Sequence, residues 1–176
     1  TVVGATIAAT LIDDRLPPST RGKVYLAIIV AANLPDLPFP YWGHSRYDIS
    51  HSVFTGLVVV AIFCLVARRT ILRNTFAGRW HFIVAGTLAI YSHYLLDTMY
   101  NHGKGIALFW PISEARVALP VPWLSHMEVD PLLSVHNVEV WTIELVVFGT
   151  LSTLILLATM FSSRKKQTLR SRRSLR

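Results

Sequence analysis

Three stretches of this chain are long and apolar enough to limit sharply what it can fold into. They are residues 51–67 (HSVFTGLVVVAIFCLVA), 81–100 and 138–161. Each approaches the roughly 17 to 25 residues a helix needs to cross the hydrocarbon of a bilayer. A shorter, proline-ended run, VYLAIIVAANLPDLPFP, occupies 24–40. Residues 1–12 (TVVGATIAATLI) read as the second half of a further span whose beginning precedes Thr1. No basic segment precedes this first run, so a cleavable signal peptide is not expected. The expected fold class is therefore all-α: a polytopic membrane protein of about five transmembrane helices. Composition agrees, because 15% charged residues and 52% hydrophobic ones depart from the about 25% charged residues of ordinary soluble domains.

A net charge of +7 could suggest nucleic acid, but its distribution points elsewhere. Arg15, Arg21 and Lys23 lie between spans one and two, and Arg68, Arg69, Arg73 and Arg79 between spans three and four. Seven more occupy the tail SSRKKQTLRSRRSLR. With five alternating helices all these segments fall on one side, leaving Arg46, Lys104 and Arg116 on the other. The excess of Lys and Arg makes the rich side cytoplasmic. Residues 1–161 then form a transmembrane domain, and 162–176 a basic cytoplasmic tail expected to be disordered and to lie against anionic headgroups. Membrane lipids are the expected partners, and no nucleic acid is expected. The lone cysteine, Cys64, reads as a small apolar residue inside span three.

The polar residues inside the spans collect at the opposite, extracytoplasmic end. Asp36 ends span two, His51 begins span three, His93 and Asp97 lie in the outer half of span four, and Glu144 lies several residues into span five. His93 and Glu144 each sit seven residues from the outer end of their helix, about 10 Å below the boundary at 1.5 Å per residue. An ionisable group at that depth is costly unless it meets a partner or a wet cavity. Four spans offering such groups at one level imply a shared pocket.

His93 and Asp97 are four residues apart and share a helix face. Histidine with carboxylates is a ligand set for a divalent metal, zinc favoured, with manganese or iron as alternatives. Asp97 could instead orient a ligating imidazole, or the pair could simply hydrogen-bond. The expected ligands are His51, His93 and Asp97, with Asp36 as a fourth. Glu144 is the candidate general base, and Asp36 takes that role if Glu144 ligates. His44 and His102 read as solvated loop residues at the mouth, and Asp48, Ser50 and Ser52 as helix caps. Tyr41, Trp42, Tyr47, Tyr100, Trp110, Trp123 and Trp141 read as an outer aromatic belt, and Trp80 as part of an inner one. Residues 103–136, with four prolines and apolar patches, are long enough to be a lid.

The motifs TVVG, LPDL, ISHS, YSHYLLD and GIALFWP occur in that order from residue 1 to about 111. In this they resemble a family of small bacterial membrane-bound proteins described as LexA-regulated, metal-dependent hydrolases. Three departures stand out. The family's first histidine would fall before Thr1, the second Asp of its Pro-Asp-x-Asp is Pro38 here, and Arg46 stands where it often has a histidine. The family is similar in its His/Asp pattern to zinc-dependent phospholipase C and nuclease-type enzymes. The resemblance thus implies a phosphoester substrate, on a lipid or lipid-linked molecule. A transporter or ion relay using the same cluster is the alternative function. It would need polar residues continuing to the cytoplasmic end, where spans three and five offer only Ser152, Thr153 and Thr159. Haem held by His51 and His93 is less suited to the neighbouring carboxylates, and a purely structural role would leave the cluster without metal.

Overall fold

The computed structural model describes the chain apart from residues 1, 13–15, 38, 43–46, 72–75, 101–104, 126, 128–130, 132 and 175–176, and apart from the side chains of 47, 70–78 and 163–174. The regular elements among the described residues are all helices, with no strand beyond one isolated bridge. In chain order they form α1 (Val2–Leu11), α2 (Pro18–Asn33), the short α3 (Tyr47–Ser50), α4 (Val53–Val66), α5 (Phe76–Met99) and α6 (Val135–Ser174).

Local chemistry sets the ends of these helices. Pro18 opens α2 in the first turn, where a missing N–H costs nothing. The helix gives way at Asn33 to a single 3-10 turn, Leu34–Asp36, because Pro35 has no N–H with which to continue the helical ladder. Span two of the sequence reading therefore shifts: the helix runs 18–33 rather than 24–40. Ser52 caps α4, its hydroxyl accepting from the Thr55 N–H at 3.2 Å. Asp48 does not cap this helix; its carboxylate pairs with Arg116 at 2.7 Å. After Val66 the chain widens into a π turn, Ala67–Ile71. At the other end of the chain, α6 continues helically to Ser174, through a tail expected to lack regular structure. Lys, Arg, Gln and Leu are all good helix formers, so the backbone simply carries on.

The packing is built on α5, which contacts α1, α2 and α4, while α6 lies against α1. One apolar cluster joins Ala8 and Ile12 to Val24, Ile28 and Ala32, and both to Phe82, Ala85 and Ala89 of α5. Small residues let these helices approach closely. A second cluster (Val59, Ile90, Tyr94 and Ile106) ties α4 and α5 to the segment after α5. That segment folds back on the helix ends. Ile106 and Val117 form the bridge, with N–H to carbonyl distances of 3.1 and 2.9 Å. Leu108 accepts from the Val53 N–H at 2.9 Å, and Leu119 and Val121 donate to Thr98 and Met99 at 2.6 and 2.9 Å. Gly105 begins the turn with φ +62°, and a side chain there would collide with the Val117 carbonyl.

One described helix is by itself long and apolar enough to cross a membrane, residues Val135–Ser162 of α6. The other expected spans are shorter helices or, in α5, interrupted by polar groups such as Ser92, His93 and Asp97.

Candidate metal centre

Four side chains from three separate segments meet at one end of α4 and α5. Asp36 comes from the 3-10 turn that ends α2, and this turn is pinned by the Trp42 indole N–H donating to the Leu34 carbonyl at 2.7 Å. The indole thereby adds a second donor to a carbonyl that also accepts from the Leu37 N–H at 3.3 Å, a specific task beyond the belt role expected of it. His51 lies in the junction between α3 and α4 and is fully buried. Its Nδ1 is 2.7 Å from the Ser50 hydroxyl, whose backbone carbonyl accepts from the Tyr94 hydroxyl at 3.0 Å. With Ser50 on Nδ1, the other nitrogen, Nε2, is turned toward α5. His93 and Asp97 project from α5 one turn apart, as their spacing requires.

The four groups converge closely. The His51 Nε2 lies 3.2 Å from an Asp36 oxygen and 2.9 Å from Asp97 Oδ2. The His93 Nε2 lies 3.5 Å from the other Asp36 oxygen and 3.6 Å from the same Asp97 oxygen. The two Nε2 atoms face each other at 3.3 Å. One ligand atom from each residue lies within 4.8 Å of all the others. Asp97 is nearer the distant His51 than its helix neighbour His93, so the cluster is not an isolated i, i+4 pair.

These separations test the fit of an ion. A metal about 2.0–2.1 Å from tetrahedrally placed nitrogens and oxygens holds them about 3.3–3.4 Å apart. The five distances, 2.9 to 3.6 Å, bracket that value. Two opposed imidazole nitrogens cannot both present lone pairs to each other without a proton or a cation between them. Two carboxylates beside them supply the negative charge that a divalent ion neutralises. The residues fit such an ion. Asp36 is the open side of the centre, its side chain 46% exposed against 13% for His93 and 15% for Asp97.

Glu144 stands apart from these four. Its carboxylate accepts a short hydrogen bond from the hydroxyl of Tyr100, the residue just past the end of α5 and three after Asp97. The helix bearing Glu144 is thus tied to the site end through Tyr100. Sequence reading placed Tyr100 in an aromatic belt; the i, i+3 spacing from Asp97 was the signal for a closer role. Ser50, Tyr94 and Arg116 were also missed as supports. Arg116 donates to the Gly105 carbonyl at 3.1 Å as well as pairing with Asp48, so it locks the folded-back segment onto α3. His44, Arg46, His102 and Pro38, and the side chain of Tyr47, lie outside the described residues.

The chain belongs to the YdjM inner membrane protein family, whose profile covers residues 1–166. It is also 30% identical over 115 residues to the inner membrane protein YbcI of Escherichia coli strain K12, a match covering 60% of this chain and 61% of that protein. The chain therefore spans about three fifths of the length of the curated relative it matches. No solved structure matches the chain. Family and relative together support an inner-membrane location.

Proposed function

We propose that this protein is an inner-membrane, metal-dependent hydrolase of a phosphoester on a lipid or lipid-linked substrate, acting at the outer face. The observation that carries the reading is the convergence of Asp36, His51, His93 and Asp97 at ligand spacing. His51, His93 and Asp97 would hold one divalent ion, zinc favoured, with Asp36 completing the set from its exposed side. Such an ion supplies Lewis acidity toward a phosphoryl oxygen and acidifies water at neutral pH.

The chain's own residues supply the rest. The Ser50 hydroxyl holds the His51 ring so that Nε2 points inward, the kind of outer support that fixes a ligating tautomer. Glu144 is the proposed base: Tyr100 orients its carboxylate, which retains further lone-pair sites able to take a proton from water. If Glu144 serves only to anchor α6, the exposed oxygen of Asp36 takes that role. Exposed apolar side chains on the segments that carry and cover the site (Phe39, Tyr41, Phe109 and Ile112) favour a substrate with an acyl or polyprenyl part. Regulation by LexA, which the motif resemblance implies, belongs to the same reading.

The proposed membrane arrangement has five spans and a cytoplasmic tail. Support comes from α5, whose 24 residues extend about 36 Å, enough to cross roughly 30 Å of hydrocarbon. It comes also from the basic residues gathered at the end opposite the metal centre.

Elemental analysis of the detergent-purified full-length protein tests the centre. About one zinc or manganese per chain is expected, lost in a His93→Ala, Asp97→Ala variant of unchanged monodispersity. Absence of metal in the wild type after supplementation would overturn the assignment. Given metal, release of phosphate or headgroup from phospholipid and phosphodiester substrates is the activity to assay.

A further inference from the structure

At the opposite end of α4 and α5 from the metal centre lies a cavity of about 230 Å³, lined by Arg68, Arg79, Trp80 and Ile83. The sequence offers no sign of it beyond a run of basic residues, because Arg68 and Arg79 are separated by the connection between two helices. The π turn after α4 carries Arg68, the first turns of α5 carry Arg79 and Trp80, and the helix pair brings them to one notch.

We infer that this notch is a binding site for the phosphate headgroup of an anionic phospholipid. The described residues of the lining include two guanidinium side chains, groups that attract anions. Guanidinium groups make paired, directional hydrogen bonds to phosphate oxygens, and a planar fork suits phosphate better than a point charge does. At about 30 Å³ per water, the cavity has room for a phosphate and its attached glycerol. The remaining lining is amphipathic. Trp80 is 61% exposed and Ile83 stands one turn further along α5, so an acyl chain leaving the headgroup meets an aromatic ring and then an aliphatic surface.

Position chooses a lipid over free phosphate. Arg79 precedes His93 by fourteen residues of α5, about 21 Å along the axis, which sets the notch near one boundary of the bilayer when the metal centre nears the other. Exposed Leu65 and Val66 lead directly to Arg68, the change from apolar to basic expected where a helix leaves hydrocarbon. Basic pockets between helices at the cytoplasmic boundary are suited to acidic headgroups. The inference rests on the membrane placement of α4 and α5 proposed above and is independent of the metal.

The test is lipid retention by the full chain in mild detergent, read by native mass spectrometry after delipidation. Add-back uses phosphatidylglycerol, phosphatidylcholine or inorganic phosphate. Phosphatidylglycerol should be retained about 30-fold better than phosphatidylcholine, the contribution of two cationic contacts. Arg68→Gln with Arg79→Gln should abolish that preference, and the exposed Arg68→Gln alone should reduce it. Arg172→Gln with Arg173→Gln in the tail should preserve it. Retention unchanged in both notch variants, or lost in the tail variant instead, would overturn the site. Displacement of the lipid by an equal concentration of inorganic phosphate would overturn its assignment to a lipid. Metal content is measured on the same samples, and labelling of single cysteines introduced beside Arg68 reports membrane sidedness. Failure of the notch is thereby distinguished from failure of the metal centre or of the topology.

Discussion

Two helices of this protein, α5 and α6, solve opposite problems. α5 is 24 residues long and touches α1, α2 and α4, with Phe82, Ala85, Ala89, Ile90 and Tyr94 buried along it. The same helix carries His93 and Asp97 into the site. α6 is 40 residues long, and its apolar stretch exposes Leu145, Val146, Leu151 and Leu154. Glu144, held by the Tyr100 hydroxyl, ties it to the site end. The helix that looks least like a simple membrane span therefore organises the protein, and the one that looks most like a span lies at its margin. A side chain that faces only lipid is selected for apolarity alone, whereas one that faces other helices must also match their shape and satisfy their polar groups.

Substitutions on the two helices can break that contrast. The largest effect is expected at Gly86 of α5, where a Cβ would lie 2.5 Å from a Phe63 ring carbon and Phe63 is already stacked on Phe82 at 4.9 Å. Gly86→Leu should cost about 1–3 kcal/mol through overpacking, seen as a lowered thermal midpoint in detergent. Wild-type stability would show that α5 is not the packing centre. Next comes the link between the helices. Tyr100→Phe removes the hydroxyl that donates to Glu144 and should cost about 0.5–1.5 kcal/mol; under the proposed function the same variant should lower hydrolysis while leaving metal content unchanged. Loss of metal in Tyr100→Phe would show instead that Glu144 supports the ligands. The smallest effect is expected at Leu151, 52% exposed on α6. Leu151→Ala should stay within about 0.5 kcal/mol, and a larger loss would reveal a protein partner against α6 in the membrane.

The site was partly legible in the chain because some of its geometry is local. His93 and Asp97 share a face at any helical i, i+4 spacing, and the break between α2 and the turn that carries Asp36 is written in the neighbouring Pro35. The outer-end bias of ionisable residues also marks which part of the bundle is polar. Less legible were the partners of each group. Trp42 and Tyr100 read as belt aromatics, yet their N–H and O–H groups serve the Leu34 carbonyl and the Glu144 carboxylate. Asp48 read as a cap, yet its charge meets Arg116, sixty-eight residues away. Aromatic and acidic residues have several acceptable partners, and only the packed arrangement selects one.

Sequence by itself determined the apolar segments, the asymmetry of basic charge, the capping role of Ser52, and the pairing of His93 with Asp97 on one face. These follow from hydration and from the repeat of the helix, which act along the chain. Tertiary structure alone decided that His51 and Asp36 reach the same point as that pair, that Asp97 stands closer to His51 than to His93, and that Arg68 and Arg79 line one cavity. The reason is that helix–helix approach depends on the small residues and side-chain shapes of several segments together. The sites form where those segments meet.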